Sequence, residues 1–104
     1  MNEWIVLCNA PDEATASRLA ETLVGEGLAA CVNLLAPCRS VYRWQGRVET
    51  ASEVPMLIKT TAERYPALEA RLAELHPYEV PEIVALPLSA GLPAYLAWLA
   101  DSIA

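Results

Sequence analysis

The chain has 104 residues, 55% hydrophobic and 19% charged, with no Phe and a formal net charge of −6; its mean hydropathy is +0.28. That length holds a single domain, residues 1–104, and the apolar content excludes disorder, while the acidic balance excludes ordinary nucleic-acid binding and disfavours an anionic membrane surface. Eighteen Ala carry little burial energy, but fifteen Leu, four Tyr and three Trp are a large payload for so small a globule and point to apolar surface covered by another subunit.

The start, MNEWIVLCNAPDE, has no basic segment of the kind that opens a signal peptide, and no apolar run approaches the roughly 20 residues that span a bilayer. Residues 3–9 form a β-branched apolar run, the pattern of a central strand. Pro11, Asp12 and Glu13 then open a helix with Ala16, Leu19, Ala20, Leu23 and Val24 on one face, ended by Gly25 and Gly27. A second strand runs from about Ala29 through Cys31 and Leu34, is interrupted by Pro37, and resumes at Ser40–Trp44. Gln45-Gly46 is a hairpin turn. If Trp44 faces Arg47, then Tyr42 faces Glu49, Cys38 faces Glu53, and Pro37 falls almost opposite Pro55. Two prolines at one level predict a bulge or bend, with a hairpin arm projecting beyond it. Thr60 and Glu63 have capping-box spacing, although Pro66 pushes the helix start later. Tyr65, Leu68, Leu72 and Leu75 form its buried stripe, and His76-Pro77 ends it. Residues 82–88 form another strand. A last helix starts at Pro93, with Leu92, Tyr95, Leu96, Leu99 and Ile103 on its apolar face and Trp98 off it. The order β-α-β-β-α-β plus a C-terminal helix predicts an α+β, ferredoxin-like split βαβ sandwich with an antiparallel sheet and both main helices on one face.

LAACVN (28–33), SVYRWQG (40–46), IKTT (58–61), HPYEVPEIVALP (76–87) and YLAWL (95–99), with CNAPDEATA (8–16) extending the match, resemble the CutA family of divalent-cation-tolerance proteins. The resemblance implies a homotrimer built partly by sheet-edge pairing, and binding of copper or other divalent cations. It offers Cys8, Cys31 and His76 as metal ligands, and thiolate and imidazole suit copper. Cys8 is late in the first strand and Cys31 early in the parallel second one, about 15–20 Å apart at about 3.3 Å per residue, so one subunit does not bring both to one ion; Cys8 and His76 fall near each other. The plainer alternatives are buried structural thiols and a histidine that caps a helix C-terminus.

Three Cys fit no disulfide framework or zinc module, so reduced thiols in a cytoplasm are expected. With one His, four Gly, no nucleophilic relay and no phosphate loop, neither an enzyme nor an organic cofactor is expected. The alternative function is a trimeric signalling or scaffold protein, similar in architecture to the PII proteins, which binds a small molecule or a protein partner at subunit clefts. Tyr42, Trp44, Lys59, Tyr78, Glu82 and Trp98 are the candidate cleft residues, with Glu49, Glu53 and Glu79 as further acids there.

Overall fold

A computed structural model describes residues 2–103; Met1 and Ala104, which the single-domain expectation includes, lie outside the described residues. The elements run β1 (Glu3–Ala10), α1 (Glu13–Gly25), β2 (Cys31–Leu34), β3 (Cys38–Trp44), β4 (Arg47–Thr61), α2 (Tyr65–Leu75), β5 (Ile83–Pro87) and α3 (Pro93–Asp101). The sheet order is β2-β4-β1-β5, with β3 paired to the outer half of β4, and every pairing is antiparallel. This is the ferredoxin-like order, with the interrupted second strand resolved into β2 and β3.

One face of the sheet carries the core. Val6, Cys8 and Ala10 of β1 and Val54, Met56 and Ile58 of β4 pack against Ala16, Leu19 and Leu23 of α1 and Leu68 and Leu72 of α2. Each fully buried Leu contributes about 1.5–3 kcal/mol relative to exposure. Alternation sends Ile5, Leu7, Leu57 and Lys59 to the other face, where β5 adds Val84 opposite Leu7 and Leu86 opposite Ile5. Helix α3 touches β4 and β1, and Lys59 Nζ lies 5.9 Å from the Tyr95 ring centroid, which places α3 on this second face. Only Leu96 and Leu99 of α3 are buried. Its apolar stripe is therefore narrower within one chain than the periodicity predicts.

Helix ends follow local chemistry. Asp12 is the N-cap of α1 and accepts from Thr15 N at 2.8 Å, so it precedes the first turn rather than sitting inside it. At the other end Gly27 takes φ +72°, and the amides of Gly27 and Leu28 donate to Val24 O (3.1 Å) and Leu23 O (2.9 Å). This pair of bonds is the Schellman closure, which needs a residue at positive φ. Arg71 of α2 grips both carboxylate oxygens of Glu26 at 2.9 and 2.8 Å, tying the two helices together.

The capping box expected at Thr60 does not form. Thr60 is a ladder residue opposite Trp4, and its hydroxyl donates to Leu28 O at 2.7 Å. Helix α2 starts four residues after Thr61, with Arg64 as an N-cap that makes no side-chain bond. The hairpin follows its predicted register, with Cys38 opposite Glu53, Tyr42 opposite Glu49 and Trp44 opposite Arg47. Gln45 (φ 50°) and Gly46 (φ 78°) form its two-residue turn. Between Leu34, opposite Met56, and Cys38, opposite Glu53, Leu35, Ala36 and Pro37 stand against Val54 and Pro55. That is the bulge expected from the facing prolines. Beyond it the hairpin projects, and the radius of gyration is 14.1 Å against about 13 Å for a compact chain of this length.

Candidate functional site

The chain from His76 to Glu82, joining α2 to β5, crosses the end of the sheet where β1 finishes, and it brings the sequence's most distinctive residues together there. His76 is the C-cap of α2, held extended (φ −71°, ψ 137°) as the following proline requires. It is buried, with Nε2 2.8 Å from Asn9 O and Nδ1 accepting from Tyr78 N at 3.1 Å. A carbonyl can only accept and an amide N–H can only donate, so the imidazole carries its proton on Nε2 and both ring nitrogens are engaged. The Cys8 thiol reaches the same Asn9 carbonyl at 3.8 Å, which puts Cys8 and His76 side by side. Burial first, then the Glu82 and Glu53 charges, push that thiol up to about 12, so the metal-free side chain keeps its proton at neutral pH.

Cys31 is separate. It pairs with Lys59, whereas Cys8 pairs with Met56. The two sulfurs are therefore on opposite faces of the sheet, and three residue levels, about 10 Å along the strands, separate them. The spacing along the strands is shorter than the sequence predicts, and the intervening sheet is the greater obstacle. Among the described residues, no group of three or more His, Cys, Asp or Glu side chains is placed to hold a metal ion. A copper centre made of Cys8, Cys31 and His76 does not fit within one chain.

Beside His76 is a cleft of about 640 Å³ lined by Asn9, Ser40, Val41, Tyr42, Trp44, Glu53, Tyr78, Glu79, Val80 and Glu82. The arm supplies Ser40, Tyr42 and Trp44 from alternating positions, all on the face of the hairpin that also carries Glu53. Tyr78 stacks against His76 with ring centroids 4.7 Å apart and donates its hydroxyl to Glu53 Oε2 at 2.9 Å. Burial, then this carboxylate, push the Tyr78 hydroxyl up to about 12. Asn9 Nδ2 donates weakly to Glu82 Oε1 at 3.5 Å.

Four of the six residues expected at a cleft, Tyr42, Trp44, Tyr78 and Glu82, meet here. Lys59 and Trp98 do not. Lys59 is six residues along β4 from Glu53, about 20 Å at strand rise, and donates to Asn33 Oδ1 at 2.8 Å. Trp98 stacks near Tyr95, centroids 5.5 Å apart, on the α3 face. Asn9 and Ser40 were not singled out by the sequence. Strand alternation from Tyr42 identifies Ser40; Asn9 follows only from knowing where β1 ends relative to residues 78–82.

The family model of the CutA1 divalent ion tolerance protein matches residues 4–102. The chain belongs to the CutA1 family. A CutA relative from Thermus thermophilus, called a divalent-cation tolerance protein, is 48% identical over 100 residues, covering 96% of this chain and 97% of its own. The solved CutA1 structure from the same organism superposes with a TM-score of 0.95 at 47% identity, over 98% of this chain and 99% of that one. The CutA crystal structure from Xylella fastidiosa gives a TM-score of 0.97 at 42% identity, with both chains covered completely. The ferredoxin-like fold is thus that of solved CutA proteins, and divalent-cation tolerance is the family's description.

Proposed function

We propose that the protein serves divalent-cation tolerance as a cytoplasmic homotrimer that binds copper or a similar cation and performs no catalysis. The observation that carries the assembly is the second face of the sheet. Val84 and Leu86 are about half exposed (49% and 53%) and continue the apolar stripe of Ile5, Leu7 and Leu57, while Tyr95 and Trp98 stand at its border. A monomer seldom leaves such a contiguous patch bare. The projecting arm and α3 supply the remaining contacts between subunits. All three cysteines are free, in keeping with a reducing compartment.

Because Cys8, Cys31 and His76 do not converge in one chain and both His76 ring nitrogens are already hydrogen-bonded, the cation belongs at a contact between subunits. Cys31 is the proposed ligand, since its sulfur is partly exposed on the face that assembly covers. The test is sedimentation of the wild-type chain together with equilibrium dialysis against Cu(I), Cu(II) and Zn(II). Expected are a mass three times the 11.3 kDa chain, bound copper lost in Cys31→Ser, and copper retained in Cys8→Ser and His76→Ala. A monomer at micromolar concentration refutes the assembly, and copper retained in Cys31→Ser refutes the ligand.

A second reading, a PII-like trimer that takes a small molecule in its clefts, is favoured by the cleft beside His76, whose volume falls within the range of ligand pockets.

A further inference from the structure

The face of the sheet that carries α3 holds two opposite charges that do not meet. Glu3 is opposite Thr61 and Ile5 is opposite Lys59. By alternation Glu3 and Lys59 therefore stand on one face as diagonal neighbours, about 7–8 Å apart at Cα and within reach of a lysine chain. Yet Glu3 Oε1 is buried without a hydrogen-bond partner, and among the described residues only Arg71 forms ion pairs. Lys59 turns instead towards the β2 edge, where its Nζ donates to Asn33 Oδ1 at 2.8 Å and lies 5.9 Å from the Tyr95 ring centroid. A buried carboxylate oxygen without a donor is costly. An ammonium held away from it, at an open edge, is held for another anion.

The side chains around Lys59 indicate what kind of anion fits. A lysine can only donate, so the Asn33 atom it meets is the oxygen, and the Cys31 thiol points at the same oxygen at 3.8 Å. Both Asn33 Nδ2 protons are left without an acceptor among the described residues, beside an ammonium that has used one of its three. A carboxylate, with two acceptor oxygens, matches that pair of donors. Next to the ammonium, Tyr95 and Trp98 stack with centroids 5.5 Å apart and remain 38% and 47% exposed. Two exposed rings form an apolar wall on which a planar group stacks. A carboxylate side chain of a neighbouring copy brings no ring to that wall, whereas an aromatic acid brings both parts.

We propose that Lys59 and Asn33, at the β2 edge beside α3, bind the carboxylate of a small aromatic acid whose ring lies along Tyr95 and Trp98. The inference rests on the reading of a small molecule held at a subunit cleft, and assigns that molecule to the α3 face instead of the space beside His76.

The test is calorimetric titration of the full chain, without added copper and at low salt, with sodium benzoate, with benzamide as its uncharged counterpart and acetate as the acid without a ring. Every sample is also sedimented. Asn33 is exposed, so Asn33→Asp, which ties Lys59 into an ion pair and repels an incoming carboxylate, keeps its fold even if Lys59→Met does not. Expected are saturable benzoate binding at one per chain, and roughly tenfold weaker binding of benzamide, of acetate and of benzoate to each variant, the worth of one charged hydrogen bond. Absence of benzoate binding, equal binding of benzamide or acetate, or binding unchanged in both variants overturns the proposal. Variants that dissociate the oligomer while the wild type ignores benzoate also overturn it, by giving Lys59 to an acid of the neighbouring copy. A wild-type trimer that ignores benzoate leaves the assembly standing without this site. A wild-type monomer that binds benzoate refutes the subunit cleft and leaves the Lys59 site standing.

Discussion

Replacing His76 by Ala separates a structural imidazole from a metal ligand. The ring satisfies two backbone groups, the sequence-distant Asn9 carbonyl at 2.8 Å and the amide of nearby Tyr78 at 3.1 Å, in a buried position. Truncation leaves both without their partner, at about 1–2 kcal/mol each. It also removes the ring that stacks on Tyr78, worth about 1 kcal/mol. The expected loss is therefore about 3–5 kcal/mol, a large share of the roughly 5–15 kcal/mol that holds a domain folded. Urea unfolding at fixed chain concentration reads it: with a slope of about 1–3 kcal/mol per molar, the midpoint falls by one to several molar units. His76→Gln, whose amide can still donate to Asn9 O, recovers part of the loss. An unchanged midpoint in His76→Ala, accompanied by loss of bound copper, would refute the structural role and restore the imidazole as a ligand.

Three further outcomes follow from the same geometry. Thr60→Val removes the buried hydroxyl that donates to Leu28 O and is expected to cost about 1–2 kcal/mol, seen as a lower melting temperature at constant protein concentration. Gly27→Ala places a Cβ on a residue at φ +72° and costs about 1–2 kcal/mol, whereas Gly25→Ala, with open space around it and helical φ, does not destabilise. Cys8 keeps its proton in the folded state up to about 12, against an ordinary value of 9.0. The unfolded chain gives up that proton earlier, so stability falls as pH rises through that window, by up to about 1.4 kcal/mol per pH unit. Tyr65 and Tyr78, raised from 10.0 to about 12, add the same sign from pH 10 upward. Cys8→Ala therefore lowers the slope of an alkaline unfolding series throughout the pH 9–12 window, and below pH 10, where the tyrosines do not yet contribute, an unaltered profile argues against a protonated buried thiol.

The arm was legible because its information is local. A two-residue turn at Gln45-Gly46 fixes the register of every pair up to Cys38 and Glu53, and two facing prolines announce the bend. Helix α1 was legible for the same reason, through its capping acid and its glycine. Thr60 misled because capping-box spacing is equally local, while the pairing of Thr60 with Trp4 and its bond to the Leu28 carbonyl depend on chain 56 and 32 residues away. Strand alternation shows that neighbours point to opposite sides but not which side holds the helices, so the separation of Cys8 from Cys31 by the sheet itself was hidden. Of the cleft, the aromatic and acidic members were visible as types. Their meeting was not, because it depends on residues 78–82 passing the end of β1. Lys59, expected at a cleft between subunits, lies six residues along β4 from Glu53 and does not line this cleft within one chain.

The three-against-two step at Leu35, Ala36 and Pro37 bears on how this architecture can vary. The ladder of β2 with β4 is held on one side of the step by its own pairs, and that of β3 with β4 is held on the other by the Gln45-Gly46 turn. Taking out one residue from 35–37 leaves every pair in both ladders available and removes only the bend. The step is thus an adjustable joint between two modules of fixed chemistry. Its residue count sets the angle of the arm, and with it where Tyr42 and Trp44 stand relative to residues 78–82, without exchanging a single side chain of either ladder.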